Sequence, residues 1–375
     1  MNLYQKYRPK DFDSVIGHDT VIKELKKRAK GDNFPQVIHI TGRTGTGKTT
    51  LFRIIGKSIL CLNKDKDGNS CNSCETCKAI DEEKISEMYH EYNGSNVGID
   101  EMRTIEDLAR MKVLSKSQKR VIVIDELQEL SANKKAQKNI LKVLERPLKS
   151  TYFILGSMDK TKVDKAINDR AVTYILKPLK FEHIAVRLKQ IAEAEGVKVD
   201  VDKDKIETLL TLAENAKGSM RAGIAYLERA IFSDIWTTDK ILEELGILSK
   251  EEINSIIEGM LSGDVEKALS HELNEEIIQL VRWKLFIMYK GLCGIKILNW
   301  EKGELSGISK YSIDKVKKAL EAFLDLQRYP YMNNVLINYI VLSITESNMY
   351  EKLPEVNPDQ IRSSTGEPIR RRRQE

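Results

Sequence analysis

Three short runs in the first half of the chain are almost wholly apolar and rich in β-branched residues, QVIHI (Gln36 to Ile40), RVIVI (Arg120 to Ile124) and TYFIL (Thr151 to Leu155), and AVTYIL (Ala171 to Leu176), closed by Pro178, is a fourth candidate strand. Strands that lack the usual in/out alternation are those covered on both faces, and between these runs lie stretches of helical periodicity. That alternation predicts an α/β fold with a parallel sheet and crossover helices. The pattern changes after Pro178. From Phe181 to about Phe232 the apolar positions Ile184, Leu188, Ile191, Leu209, Leu210, Leu212, Ile224 and Leu227 recur at helical spacing, with breaks at Gly196 and Gly218. A further helical block follows from about Glu251 to Leu353, its apolar weight carried by Trp283, Leu285, Phe286, Met288, Tyr289 and Leu292. The expected divisions are therefore an α/β domain over 1–178, a small helical domain over 179–245, an all-α domain over 250–353, and a disordered basic tail over 354–375 ending in Arg370 to Arg373.

Composition narrows the class. The chain has 375 residues, 41% of them hydrophobic, enough for two or three folded cores. Lys and Arg number 61 against 56 Asp and Glu, so contact with nucleic acid must come from local clustering rather than from the net charge of +5. No apolar run approaches the ~18 residues of a membrane span, and the opening MNLYQKYRPK lacks the apolar stretch of a signal peptide, so a soluble cytoplasmic protein is expected. Four of the five cysteines fall at Cys61, Cys71, Cys74 and Cys77. Thiolates two residues apart can converge on one ion, and four complete the closed tetrahedral shell of structural Zn²⁺. Buried free thiols and an iron–sulfur cluster are the alternatives. The polar KDKDGNS between the first two cysteines cannot form a core, so a metal is expected to hold this insertion together.

Candidate chemistry begins at the end of QVIHI. There the chain reads Gly42-Arg43-Thr44-Gly45-Thr46-Gly47-Lys48-Thr49-Thr50 and passes into the helical LFRIIGKSIL, satisfying G-x-x-x-x-G-K-[ST] with both flanking elements in place. The glycines let backbone N–H groups curl around phosphate, and the helix start adds its positive dipole end. Lys48 is placed to reach the β- and γ-phosphates of ATP, and the Thr49 hydroxyl to reach Mg²⁺. RVIVI ends in Asp125 and Glu126, an acid pair suited to completing the metal shell and to taking a proton from the attacking water, respectively. Just beyond, Lys134, Lys135, Lys138 and Lys142 form a basic cluster that reads either as a solvated helix face or as a track for a phosphate backbone.

The residues around these motifs resemble the clamp-loader branch of the AAA+ ATPases, as found in the tau/gamma subunits of bacterial DNA polymerase III and, more distantly, in replication factor C. Four stretches carry the likeness: KYRPKDFDSVIGHDTVIKEL (Lys6 to Leu25), AQKNILKVLERP (Ala136 to Pro147), FILGSMDKTKVDKAINDR (Phe153 to Arg170), and Gly218-Ser219-Met220-Arg221. The resemblance covers roughly 1–230. It implies that Arg8, Pro9 and Ile16 lie near the adenine, that Ser157 holds the sensor-1 position near the γ-phosphate, that Arg221 reaches the phosphates from the helical lid, and that Arg170 is an arginine finger for a neighbouring subunit. It also implies a four-cysteine zinc module, DNA contact by the lysine cluster, and an oligomerising collar over 250–353. Two departures stand out. Serine replaces the usual sensor-1 threonine, and the family's Ser-Arg-Cys triplet is Asp169-Arg170-Ala171, whose aspartate could pair with the finger.

The function implied is an ATP-driven motor subunit that opens a sliding clamp, places it on primer-template DNA together with other loader subunits in a pentamer, and releases both on hydrolysis. The alternatives are another AAA+ DNA remodeller, such as a helicase loader or branch-migration motor, or a nucleotide-binding structural subunit without turnover.

Overall fold

The structure is a computed structural model, described for residues 2–83, 88–113, 117–130, 134–145, 148–271, 275–293, 311–325, 341 and 344. It comprises two compact units, Met1–Ile241 and Leu242–Glu375. The tail over 354–375, with Arg370 to Arg373, lies outside the described residues.

In the first unit, the short helix α1 (Leu3–Lys6) and α2 (Asp19–Lys30) precede β1 (Val37–Gly42), which leads into α3 (Lys48–Leu60). Then come α4 (Glu75–Asp81), β2 (Tyr89–Asn93), α5 (Ile99–Arg110), β3 (Arg120–Asp125), α6 (Leu127–Leu130) and α7 (Lys134–Glu145). After β4 (Thr151–Ser157), α8 (Lys165–Asn168) and β5 (Val172–Leu176), the unit continues as helices α9 (Phe181–Ala194), α10 (Lys203–Asn215) and α11 (Met220–Ser233). The five strands form one parallel sheet in the order β2-β3-β4-β1-β5. All four apolar runs are strands. The fifth, β2, reads YHEYN, and only Tyr89 of it is buried, as befits an edge strand with half its surface wet. One sheet face packs Phe12, Leu25, Phe52 and Ile55 from the preceding loop, α2 and α3; the other packs Met102, Ile105, Ile140 and Leu144 from α5 and α7. Burial on both faces is what allows β1 and β3 their unbroken apolar sequences.

The strand order decides where chemistry gathers. Because β3, β4 and β1 are neighbours, their C-terminal ends lie side by side, and β1 Thr41 pairs with β4 Ser157. Loops at the carboxyl ends of parallel strands are where such sheets bind ligands.

Beyond Leu176 the described residues contain no strand. In the second unit the helices Lys250–Ser262, Glu275–Leu292 and Ile313–Asp325 share a core that includes Ile256, Met260, Val281, Leu285, Met288 and Phe323. Phe286, read from the sequence as part of that apolar payload, stands 48% exposed. Among the described residues no helix is long and apolar enough to cross a membrane.

Candidate nucleotide site

The loop between β1 and α3 holds Gly45 at φ 79° and Gly47 at φ 106°, left-handed conformations that side chains resist. That curl places the N-terminus of α3 under the loop. Lys48 is buried, and its Nζ donates to the Gly42 carbonyl at 2.8 Å, so the ammonium lies across the loop it would share with phosphate. Thr49 Oγ1 donates to Asp125 Oδ2 at 3.4 Å, bringing the two expected Mg²⁺ ligands together from different elements. Burial raises the Asp125 carboxyl above its ordinary range, opposed by the Glu126 N–H and by nearby Lys48. A divalent cation would repay that desolvation by favouring the ionised form, and this donor set suits Mg²⁺. Asp125 also explains Gly156, where an added Cβ would stand 2.4 Å from Asp125 Oδ1 and 2.5 Å from Phe52.

Glu126 follows the strand tip at φ 51°, and its backbone N–H donates to Asp125 Oδ1 at 2.8 Å. Gln128 Nε2 donates to its carboxylate, while the Met158 backbone N–H donates to Gln128 Oε1 at 3.1 Å. The expected base is therefore oriented by a glutamine that also grips the end of β4. Ser157 is fully buried at that strand end, with its hydroxyl 2.8 Å from His39 Nε2.

An open cavity adjoins the loop. Arg8, Pro9 and Ile16 line it together with Gly45, Thr46, Gly47 and Thr50, joining the expected base-contacting segment to the phosphate loop; Thr44 is exposed at the loop's outer side. The start of α11 also borders it, through Met220 and Ile224. The Met220 N–H donates to the Gly45 carbonyl at 3.0 Å, and a Cβ on Gly45 would lie 1.9 Å from Ser219 Oγ. Arg221 and Arg8 lie on the Tyr4 ring at 4.9 and 5.0 Å, and Arg221 also donates to the Tyr4 hydroxyl at 3.4 Å. The segment bearing Tyr4 is tied to helices α9 and α11: Leu3 N–H donates to Glu228 at 2.9 Å, Tyr7 OH to Glu195 at 2.5 Å, and Arg187 to the Tyr7 carbonyl at 2.7 Å. Tyr4, His18, Arg187, Met220 and Ile224 all border the cavity and were not foreseen as site residues. Only Met220 carried a signal, through its place beside Arg221.

Arg170 lies outside this pocket. Its guanidinium donates to the Ala166 carbonyl at 2.7 Å and to Glu145 at 2.8 Å. The carboxylate that meets it is thus Glu145, at the end of α7, whereas the adjacent Asp169 caps α8. Of the lysine cluster, Lys142 is exposed on α7; Lys134, Lys135 and Lys138 lie on the same helix, with side chains outside the described set.

At the far end of α3, the four sulfur atoms of Cys61, Cys71, Cys74 and Cys77 all lie within 4.8 Å of one another, with Cys61 and Cys71 3.6 Å apart. A tetrahedral zinc with ~2.3 Å bonds asks for sulfurs about 3.8 Å apart, so the cluster fits the ion. Burial pushes the Cys61 and Cys77 thiols up, while Ser73 and neighbouring N–H groups draw Cys71 down to about 6. The insertion is also stitched by polar contacts that the sequence did not disclose. Fully buried Lys57 donates to Asn72 at 2.8 Å and Asp81 at 2.7 Å, and Ser58 donates to the Gly68 carbonyl at 2.9 Å.

A glycine-rich strand-to-helix loop and a strand-tip acid pair on a five-stranded parallel sheet followed by helices define a P-loop ATPase-like fold of the AAA+ kind. A family model described as DNA polymerase III, delta subunit, matches residues 17–180. The replication factor C small subunit of Sulfolobus acidocaldarius is 30% identical over 305 residues, covering 81% of this chain and 82% of its own length. DNA polymerase III subunit tau of Bacillus subtilis is 31% identical over 279 residues, covering 74% of this chain and 48% of its own, and the gamma/tau subunit of Mycoplasma genitalium is 30% identical over 272, covering 71% and 44%. The chain belongs to the clamp-loader family of AAA+ ATPases. It spans about half the length, or less, of the tau and gamma/tau subunits it matches.

Proposed function

We propose that this chain is an ATP-hydrolysing motor subunit of a sliding-clamp loader: it opens a ring clamp and sets it on primer-template DNA, and hydrolysis triggers release. The observation that carries the reading is the convergence of Lys48 and Thr49, at the start of α3, with Asp125 and Glu126, at the end of β3, beside a cavity bordered by Met220, whose neighbour Arg221 lies on the Tyr4 ring. Lys48 and the loop N–H groups hold the β- and γ-phosphates, and Arg221 leaves the Tyr4 ring to add charge from the lid. Mg²⁺, when bound by Thr49 and Asp125, supplies neutralisation across the phosphate oxygens. Glu126, held by Gln128, takes the proton of the attacking water. The base rests against Pro9 and Ile16, and Arg8 Nε, buried without a partner, offers it a donor. Ser157 reads the γ-phosphate from β4. The cysteines hold structural Zn²⁺, the α7 lysines track the DNA backbone, and residues 250–353 assemble a pentamer with other loader subunits in the cytoplasm.

In that assembly Arg170 works on the next subunit's pocket. Its present partner Glu145 is an anion of the same kind as the phosphate it would meet, so engagement exchanges one charge-assisted pair for another. Fingers of this type are worth about 10³ to 10⁵ in rate. The test mixes two chains in the presence of clamp and primed DNA: Arg170→Ala, which keeps its pocket, and Lys48→Ala, which keeps its finger. Each alone should hydrolyse ATP poorly, and the mixture should recover part of the wild-type rate. Normal hydrolysis by the Arg170 variant in the full assembly would remove the finger role.

A further inference from the structure

A buried polar chain connects the expected γ-phosphate sensor to the segment bearing the finger, through a histidine that the nucleotide chemistry does not use. His39 lies in the middle of β1, fully buried, with Nε2 2.8 Å from Ser157 Oγ and Nδ1 3.1 Å from Asn168 Oδ1. Asn168 ends α8, two residues before Arg170. Its Nδ2 faces three carbonyl oxygens, those of Lys160, Val163 and Asp164, at 3.3, 3.1 and 3.4 Å. Three acceptors fix the amide orientation, because a flipped amide would set its oxygen against all three. Oδ1 therefore faces His39 and can only accept, so Nδ1 carries the imidazole proton. Burial holds the ring neutral, its pKa drawn down to about 4, with Asn168 opposing and Lys160 adding to the effect. Nε2 is then a bare lone pair, and the bond at 2.8 Å is donated by the Ser157 hydroxyl.

A serine has one proton to give. While it goes to His39, Ser157 presents only lone pairs to any other group, and phosphate oxygens are themselves acceptors. We propose that His39 is a positioning residue that makes Ser157 a one-proton switch. The hydroxyl either bonds His39, which through Asn168 braces the 160–170 segment, or bonds a phosphate oxygen, which leaves Nε2 unpaired and loosens that segment with the Arg170 it presents. Triphosphate in one pocket is thereby reported to the finger facing the next. The inference rests on the reading above that Ser157 faces the γ-phosphate. Its physical content is a two-state element biased by a ligand at one end and felt at the other.

Two measurements on the full chain test it. With ¹⁵N-labelled histidine, the nucleotide-free wild type should show His39 protonated at Nδ1 and bare at Nε2; ATPγS, but not ADP, should shift Nε2. This needs no variant, so a folding failure cannot shelter the idea, and protonation at Nε2 without nucleotide would overturn it. Second, amide hydrogen exchange over 160–170 should rise on the order of tenfold with ATPγS relative to ADP, the worth of about one hydrogen bond. In His39→Leu it should already be high and should not respond to nucleotide. His39→Gln, which keeps one donor and one acceptor, should restore part of the response. Affinities of wild type, Lys48→Ala and Ser157→Ala for ATPγS and ADP separate the two levels. If Lys48→Ala binds as well as wild type, or Ser157→Ala keeps the full triphosphate preference, the site reading falls and the switch with it. If both behave as expected but His39→Leu still responds like wild type, the switch alone is wrong.

Discussion

The loop between β1 and α3 and the cysteine cluster are both candidate ligand sites made from few residues, yet they are held in opposite ways. At the nucleotide site each group is placed by the sheet: Asp125 by the end of β3, Ser157 by the end of β4, Lys48 by the turn that leaves β1. Its polar atoms already satisfy one another, as Lys48 does with Gly42 and Gln128 with Glu126. The cysteines sit on an insertion with little apolar content, where two buried thiols are pushed toward their neutral form. On the proposed reading, one site is built before its ligand arrives and the other would depend on its ion for much of its order. Lys57 and Ser58 qualify that contrast, since they anchor the insertion to α3 through ordinary hydrogen bonds.

Metal removal should break the comparison most widely. Apparent binding of structural zinc is worth about 10–16 kcal/mol in small modules, so Cys74→Ser or chelation should disorder residues 61–81. Limited proteolysis would then cut there, while nucleotide affinity stays within about threefold of wild type because no pocket group is a sulfur ligand. Protein purified without added zinc should carry about one zinc per chain; a metal-free chain resistant at those sites would show that Lys57 and its partners suffice.

Next in size is Glu126→Gln, which removes the proton acceptor from a pocket that otherwise stays intact. Hydrolysis should fall about 10² to 10⁴-fold with ATP affinity nearly unchanged, as measured by single-turnover kinetics and by equilibrium binding. Unaltered turnover would exclude Glu126 as the base.

The third prediction concerns pH and probes how far the pocket's order is prepaid. His39 has a folded pKa of about 4 against an ordinary value near 6.5, so the unfolded chain takes up the proton first as pH falls. Its contribution is complete above about pH 6.5 and is lost as pH drops toward 4, on the order of 3 kcal/mol in all. Urea unfolding of wild type and His39→Leu should diverge in slope within that window and run parallel above it. The smallest effect belongs to Gly156→Ala. Its methyl meets Asp125 and Phe52, which should cost about 1–3 kcal/mol and weaken Mg²⁺ binding, read from melting curves with and without the ion.

How much of this was legible beforehand follows from how local each signal was. The loop and acid pair were readable because phosphate chemistry demands particular residues at fixed spacing beside a strand and a helix. Strands β1, β3 and β4 announced themselves by being covered on both faces, and β5, although an edge strand with Ile175 exposed, by its apolar and β-branched residues, whereas β2 did not, because YHEYN alternates with polar residues and resembles a loop. His39 was hidden for the converse reason: one histidine inside QVIHI reads as part of the core until Asn168 and Ser157 are brought to either side of it. Glu145 likewise became the partner of Arg170 through tertiary placement, whereas Asp169, its neighbour in sequence, went to the end of α8. Tyr4 lies in a four-residue helix whose role appears only once the lid has folded over it.

Helix α3 begins with Lys48, and its C-cap is Cys61. A rod of 13 residues therefore sets the angle between the two sites as well as their separation. Adding or deleting one residue within it would turn everything beyond by about 100° and displace it by about 1.5 Å, so that the buried face of α3 and the cysteine-bearing segment that follows could not keep their places against the sheet while Lys48 faces the loop. Substitution along this helix is free to vary with packing, but its length is not. Among variants of this chain that retain both sites, insertions should gather in the polar stretch after Cys61 and be missing between Lys48 and Leu60.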